Sequence, residues 1–251
     1  MNARLATAAD NELLCSILNE GRVKRLRECD NAGEFNPSVY TETPPNFAVV
    51  VGEDDGCFLA RCCEVGGYEI HTNLLPRVWG KSSPLAVDAL MFAFLSTDAV
   101  VLYTKVPDSN HPAYSFALRM GFQPIFRREG VWLKDGKVWG MQYMRMGIDD
   151  WCLQGRLGCV GEAFHTELHR KAPWIAPHPH DPVHEAYVGL FIALCVQDRV
   201  EKGQFFYNRW ARFAGYETIK VLSTSPLKLD IGSALIHFEE GELIAERSCH
   251  A

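Results

Sequence analysis

The feature that most constrains the fold of this 251-residue chain is a change in sequence pattern near Gly147. Before that point, short strand-like runs alternate with helix-like runs, and glycine or proline marks most connections. After it the chain is mainly helical, rich in histidine and aromatic residues, and ends in short strand-like runs. Alternating strands and helices are typical of an α/β architecture. We therefore predict two domains, residues 1–148 and residues 149–251.

The first segment predicts an ordered series of elements. Its centre is a meander of three antiparallel strands, because the linkers between the strands are short and contain turn-forming residues. A later run, Ala99–Val106, is apolar and β-branched, as expected for the buried middle of a sheet. The predicted elements are a strand at 4–7, a helix after Asp10, strands at 47–51, 57–65 and 68–75, a helix at 84–95, a strand at 99–106, a helix at 111–120 and a hairpin at 122–146.

The loop Pro76–Ser82 is the first candidate for a binding function. It joins a strand to a helix, and such a junction directs free backbone N–H groups and the positive end of the helix dipole at one spot. This geometry suits a phosphate or pyrophosphate. Gly80 allows close approach of the backbone, and Arg77 and Lys81 add positive charge. Loops of this composition are also common without any ligand.

A second segment, Asn110–Phe122, strengthens the case. Together with the strand order, the two segments resemble the acyl-coenzyme A-dependent N-acetyltransferase superfamily, known as GNAT, over residues 3–147. In that family a Gln/Arg-x-x-Gly-x-Gly/Ala loop holds the coenzyme pyrophosphate. This chain has Arg77 and Gly80 at the first two positions, and Ser82 at the third.

The second family motif, Asn-x-x-Ala-x-x-x-Tyr-x-x-x-Gly-Phe, matches at four positions and departs at one. The tyrosine of the motif often protonates the leaving thiolate in the family, and Ala117 stands in its place here. Tyr114 lies one helical turn earlier and is our candidate for that role. The matching residues are Asn110, Ala113, Gly121 and Phe122.

The resemblance implies a fold, a cosubstrate and a reaction. The fold would be a mixed sheet of six to seven strands flanked by helices. Acetyl-CoA or another acyl-CoA would bind with its pantetheine arm along the backbone of strand 68–75, and an amine would attack the thioester directly. The cofactor-binding residues would be Leu74, Leu75, Arg77, Val78, Trp79, Gly80, Lys81 and Ser82, with Asn110 beside the coenzyme.

Direct attack by an amine requires a base, and strand 68–75 offers two candidates. Residue alternation places Glu69, His71 and Asn73 on one face of this strand. A carboxylate can accept a proton directly or through water, and an imidazole titrates in the neutral range. Both residues could equally be ordinary polar residues of a half-exposed strand. We predict that His71 or Glu69 is the catalytic base.

The segment 149–251 predicts a small α+β module with no family assignment. Helical spacing predicts helices at 162–171, 182–200 and 202–213, followed by four short strands between 218 and 246. The aromatic spacing of Phe206, Trp210 and Phe213 predicts a buried stripe in the last helix and argues against a base-stacking surface.

Histidines are concentrated between residues 165 and 184, a density that would allow a zinc site. However, Asp181-Pro182 has the pattern of an N-cap followed by the first residue of a helix. We predict no metal, and keep a metal-dependent protein as a third interpretation. The residues concerned are His165, Glu167, His169, His178, His180 and His184.

Composition argues against nucleic-acid-binding, disulfide-stabilised, secreted and membrane-spanning proteins. The net charge of −6 argues against a nucleic-acid partner, and the basic run Arg22–Arg27 is typical of a solvated helix face. The nine cysteines contain no C-x-x-C pair and suggest no disulfide framework, so we expect most to be buried. No signal peptide or membrane-spanning run is visible. We predict a cytoplasmic location.

An alternative to the acyltransferase function is a GNAT fold that has no catalytic activity and serves as a structural or interaction protein. Ala117 and Ser82 favour it, because both depart from the family motifs. The combination of the two segments also resembles proteins encoded by tailed bacteriophages, which would place the chain in the host cytoplasm or in a virion. In that case the C-terminal module could form a homo-oligomer or bind a phage assembly, whereas the enzyme would act on a small-molecule or protein amine.

Overall fold

The computed structural model describes residues 2–30, 32–155, 157–175, 181–239 and 242–248. The chain divides into two compact units, Met1–Ile148 (unit 1) and Asp149–Ala251 (unit 2). Unit 1 is built on a seven-stranded sheet and unit 2 on a four-stranded sheet. Within the described ranges, no helix has the length and apolar character needed to cross a membrane.

The sheet of unit 1 has the strand order β1-β2-β3-β4-β5-β7-β6. Its strands are β1 (Ala3–Leu5), β2 (Phe47–Val51), β3 (Gly56–Glu64), β4 (Gly67–Leu74), β5 (Val101–Pro107), β6 (Gln123–Lys134) and β7 (Lys137–Gly147). The helices are α1 (Asn11–Asn19), α2 (Gly21–Arg27), α3 (Ser38–Thr41), α4 (Ser83–Ser96) and α5 (His111–Arg119). The prediction of a mixed sheet with six to seven strands flanked by helices is confirmed.

One pair of strands breaks the antiparallel pattern. β4 and β5 run parallel, and they are paired only from Gly67–Glu69 to Val101–Tyr103. Both strands are described in full. β4 continues to Leu74 without β5 beside it, so the backbone groups on that edge open into a cleft.

The two faces of the sheet carry different helices. Leu14, Ile17 and Leu18 of α1 form a buried cluster with alternate residues of β2 and β3, such as Val50 and Leu59. Burial of each such side chain contributes about 2 kcal/mol. The other residues of β2 point to the opposite face, and α4 contacts β2 and β1 there.

The loop after α2 is fixed to the tip of the β6–β7 hairpin. The carboxylate of Asp30 accepts hydrogen bonds from the backbone N–H groups of Asp135 and Gly136, at 2.9 and 3.0 Å. The Nζ atom of Lys134 donates to the carbonyl of Glu28 at 2.8 Å. These contacts bring the segment after α2 and the last hairpin together within unit 1.

Unit 2 confirms the predicted small α+β module. The long helices pack in chain order, α7 on α8 and α8 on α9, and α7 contacts the last strand. Its helices are α6 (Ile148–Cys152), α7 (Gly158–Lys171), α8 (Pro182–Val196) and α9 (Val200–Ala214). Its strands, all antiparallel, are β8 (Lys220–Thr224), β9 (Leu227–Asp230), β10 (Ala234–Glu239) and β11 (Glu242–Arg247).

Two expectations about burial are wrong. Phe206 is buried, but Phe213 is 94% exposed, because the last turn of α9 extends beyond its neighbours and the stripe ends one turn early. Among the eight described cysteines, Cys57 and Cys152 are buried, whereas the others are half-buried or exposed. Cys249 lies outside the described residues.

Candidate active site

The loop between β4 and α4 forms a cradle of free backbone N–H groups. Pro76–Val78 make a single 3-10 turn, after which Gly80 adopts φ +83° and turns the chain into α4. A Cβ atom at Gly80 would meet nothing within 4 Å, so the space above the loop is open. Four backbone N–H groups in the loop and the first turn of α4 have no hydrogen-bond acceptor among the described residues. They belong to Gly80, Ser82, Ser83 and Leu85.

A cavity of about 380 Å³ lies at this loop. Its lining combines two cations with one carboxylate. The guanidinium of Arg77 donates to Asp55 Oδ1 and to the carbonyl of Asp54, both at 2.8 Å. The turn between β2 and β3 thus holds Arg77 at the rim of the cavity. The lining residues are Asp55, Arg77, Val78, Lys81, Pro84 and Leu85.

The other predicted cofactor-binding residues have distinct local roles. The indole Nε1 of Trp79 donates to the carbonyl of Leu74 at 2.8 Å, so one acceptor at the end of β4 is already bonded. The side chain of Leu75 packs against the α1 cluster, and its N–H bonds to the carbonyl of Asp55. Ser82 is buried at the N-cap of α4 without a side-chain capping bond.

Asn110 and Tyr114 lie at the start of α5. The side-chain oxygen of Asn110 accepts a hydrogen bond from the N–H of Ala113 at 3.2 Å, so this residue caps the helix. Tyr114 follows one turn later and is half-buried. Ala117 is buried and faces the sheet side of the helix. Gly121, at φ +96°, ends the helical turn as predicted.

The two candidate bases contact one another and a third residue. Glu69 Oε1 lies 3.0 Å from His71 Nε2, and Glu69 Oε2 lies 2.5 Å from Lys105 Nζ on β5. Burial acts to raise the pKa of Glu69, but the hydrogen bonds from His71 and Lys105 outweigh it and lower the pKa to about 2. Glu69 is therefore a fixed carboxylate at neutral pH, and a weak proton acceptor.

Aromatic side chains extend this face of the sheet. Lys105 Nζ lies 5.6 Å from the centre of the Tyr143 ring, which stacks on Phe126 at 4.3 Å. Tyr103 donates its hydroxyl to Glu64 Oε1 at 2.7 Å. Charged and aromatic groups thus border the cleft beside Glu69.

Sequence reasoning missed Asp55 and Lys105. Asp55 belongs to the acidic run Glu53–Asp55, which reads as an ordinary turn. Lys105 is the one charged residue in a mainly apolar strand, and alternation puts it on the same face as Tyr103. Tyr103 is the register partner of Glu69. Knowledge that β4 and β5 are neighbours would therefore have been enough to find Lys105.

The histidine cluster of unit 2 has the character of a core. His184 is buried, and its ring stacks on Tyr216 at 4.5 Å and on His165 at 4.8 Å. Asp181 caps α8 as predicted, because its carboxylate accepts from the N–H of Val183. The described residues contain no group of three potential ligands placed to hold a metal ion. His178 and His180 lie outside the described residues.

Comparison with known proteins gives a likeness of fold. No protein-family model matches the sequence, and no curated protein matches it at the threshold of the search. A solved structure of spermidine N-acetyltransferase from Vibrio cholerae, in complex with CoA and spermine, matches over 59% of this chain and 96% of its own. Its sequence identity is 13% and the TM-score is 0.51.

Two further solved structures are similar. A mutant spermidine N-acetyltransferase from Vibrio cholerae has 15% identity, a TM-score of 0.50 and coverage of 60% of this chain and 97% of its own. A probable acetyltransferase of the GNAT family from Chromobacterium violaceum has 17% identity, a TM-score of 0.48 and coverage of 60% of this chain and 90% of its own. The seven-stranded mixed sheet of unit 1, with its flanking helices, has the GNAT acetyltransferase fold.

Proposed function

We propose that unit 1 is an acyl-CoA-dependent N-acyltransferase, which transfers an acetyl or another acyl group to a primary amine. One observation carries this proposal. The part of β4 that has no β5 partner begins beside the Glu69–His71 pair and ends at the cradle of free N–H groups. A proton acceptor and an anion-binding loop therefore border the same open strand edge.

The residues of the cradle fit the pyrophosphate of a coenzyme. Free N–H groups and the N-terminus of the fourteen-residue helix α4 attract an anion, and open space lies above Gly80. Lys81 lines the cavity and makes no ion pair among the residues described. An acyl-CoA supplies the acyl group as an activated thioester. The chain would hold its phosphates at Gly80–Ser83 and its arm along β4.

His71 is placed to take the proton of the amine. His71 Nε2 donates a hydrogen bond to the carboxylate of Glu69. In the neutral ring, the proton is therefore on Nε2. The lone pair is then on Nδ1, and the side chain is 39% exposed toward solvent. We assign His71 as the base and Glu69, held by Lys105, as the residue that orients it.

Tyr114 is our candidate for returning a proton to the departing thiolate. It is half-buried on the first turns of α5, directly after Asn110. A phenol hydroxyl can donate a proton to the alkyl thiolate that leaves when the thioester is cleaved. Ala117, at the position of the family tyrosine, has no group able to do this.

Isothermal titration of the full chain with acetyl-CoA tests the proposal. We expect micromolar binding by the wild type and at least 100-fold weaker binding by Gly80→Trp, because the bulky side chain fills the cradle. The matched control is Gly155→Trp in unit 2. Gly155 has φ +80°, and it too would place its Cβ in open space. It therefore carries the same backbone strain. Equal loss of binding in both variants would contradict the assignment of the cradle.

A non-catalytic GNAT fold is the second candidate, and two contacts favour it. Arg77 is already bonded to Asp55, and the carbonyl of Leu74 already accepts from Trp79. A coenzyme would otherwise use the guanidinium of Arg77 and this carbonyl. The similarity to a spermidine N-acetyltransferase in complex with CoA supports the enzyme instead. No heat of binding at millimolar acetyl-CoA, with co-purification of an assembly at fixed stoichiometry, would establish the structural role.

A further inference from the structure

The side chains around Glu69 also bear on the choice of acceptor. We infer that the acceptor is a small amine that carries an anionic group, a carboxylate or a phosphate, and that Arg61 binds this group. The inference rests on the proposed acyl transfer and names the substrate class of the same site. It separates this protein from an enzyme for polycationic amines.

Arg61 stands next to the proposed base. It lies on β3, and its register partner across the antiparallel β3–β4 ladder is Glu69. Such partners have Cα atoms about 5 Å apart, with side chains on the same face. The side chain of Arg61 is exposed, and it has neither a hydrogen bond nor an ion pair to any residue in the described ranges. A guanidinium is the side chain best shaped to bind a carboxylate or phosphate.

The carboxylates of Glu69 and Glu64 already have partners among the described residues. Glu69 is bonded to His71 and Lys105, and Glu64 accepts the hydroxyl of Tyr103. A polyamine acceptor needs carboxylates that are free to pair with its ammonium groups. Here the free charge beside the base is the positive charge of Arg61, which repels a polycation and attracts an anion.

Tyr40 is a further residue that the charges of Arg61 and Glu69 influence. Tyr40 belongs to α3, stacks on Phe35 and packs against the α1 cluster. Burial raises the pKa of the Tyr40 hydroxyl, while the positive charge of Arg61 lowers it and the negative charge of Glu69 raises it. The charges of Arg61 and Glu69 thus act on one neighbouring hydroxyl.

The ladder also favours a short acceptor. His71 is two residues beyond Glu69, so it is a diagonal neighbour of Arg61. Diagonal neighbours lie about 7–8 Å apart. We therefore expect the amine and the anionic group of the acceptor to be separated by a few bonds. β-Amino acids and aminoalkyl phosphates have this spacing.

Thiol release from acetyl-CoA, measured with a panel of amines, tests the inference. The panel contains β-alanine and phosphoethanolamine as anionic amines, β-alaninamide and ethanolamine as their neutral counterparts, and spermidine as a polycation. We expect kcat/KM at least 10-fold higher for each anionic amine than for its neutral counterpart. Arg61→Gln should raise KM for the anionic amines about 10-fold and leave KM for the neutral amines unchanged.

The matched control is Arg128→Gln, which removes the same charge from an exposed position on β6 of the same sheet. It should leave the preference intact. Spermidine as the best acceptor, an equal loss in both arginine variants, or binding of acetyl-CoA without turnover of either anionic amine would overturn the inference while the proposed cofactor site stands. Failure to bind acetyl-CoA would overturn the proposed function, and the inference with it.

Discussion

The two units use histidine in opposite ways. His71 of unit 1 is 39% exposed, and its ring contacts a carboxylate at the edge of an open cleft. His184 of unit 2 is 3% exposed, and its ring lies between the aromatic rings of Tyr216, His165 and Trp210. The sequence concentrates histidine in unit 2, yet the histidine with the chemical surroundings of a base is an isolated one in unit 1. Local density of a residue type is therefore a poorer guide to chemistry than its place on a sheet.

The difference follows from the neighbours of each ring. β4 loses its partner strand after Glu69, and the charged side chain of Lys105 on β5 contacts Glu69 there. In unit 2 two carboxylates accept hydrogen bonds from tyrosines of the aromatic cluster. Asp149 accepts from the Tyr187 hydroxyl at 3.0 Å, and Asp181 accepts from that of Tyr216 at 2.7 Å. Hydrogen bonds of this kind stabilise a buried cluster.

The largest expected effect is on turnover. His71→Ala should lower kcat about 100- to 1,000-fold, because loss of a positioned general base removes about 3 to 4 kcal/mol of transition-state stabilisation. The KM for acetyl-CoA and the midpoint of thermal unfolding should change little, since the ring is partly exposed. Steady-state thiol release with the best acceptor checks this. Full turnover in the variant would remove His71 from the mechanism.

The reciprocal substitution in unit 2 should act on stability. His184→Ala removes a buried ring from an aromatic cluster and leaves the Tyr207 hydroxyl, 3.2 Å from His184 Nε2, without that partner. We expect about 3 kcal/mol of destabilisation, seen as a lower midpoint in urea, and kcat close to wild type under native conditions. If the variant unfolds like the wild type but has lost activity, His184 has a functional role and not the structural role that we assign to it.

Glu69→Gln should reduce stability in a pH-dependent way. The folded-state pKa of Glu69 is lowered to about 2 from an ordinary value of 4.5. A lowered pKa contributes stability that is complete above about pH 4.5 and is lost as the pH falls toward 2. Urea unfolding should therefore show the wild type about 2 kcal/mol more stable at pH 7, with the two proteins converging only as the pH falls to about 2 and below. A difference that is constant with pH would refute the ion-pair account.

The smallest effect concerns the cradle. Asp55→Asn removes a negative charge from the lining of the cavity and frees Arg77 from its ion pair. We expect acetyl-CoA to bind about 3- to 10-fold more tightly, with a larger gain at low salt, because these charges are exposed and screened. Titration at two salt concentrations checks the result. Weaker binding would show that Asp55 positions Arg77 and does not compete for it.

Local patterns in the sequence predicted much of unit 1. Glycine and proline turns, the alternation in β4 and the capped start of α4 act within a few residues, so the element order and the loop Pro76–Ser82 could be predicted from the sequence. The contacts of the site join distant residues. Lys105 is far from Glu69 in the chain, and Asp55 is 22 residues before Arg77. Such pairs depend on which strands are neighbours, which local pattern does not determine.

The sequence by itself thus determined the elements, the break in pattern near Gly147 and the presence of an imidazole and a carboxylate on one face of β4, because these depend on periods of two and 3.6 residues. The tertiary structure decided how each group would act. The parallel neighbour β5 brings Lys105 to Glu69 and makes that carboxylate a fixed anion. The packing of α8 and α9 buries His184. Charge and burial depend on neighbours in space, so the same residue type became a candidate base in one unit and a part of the core in the other.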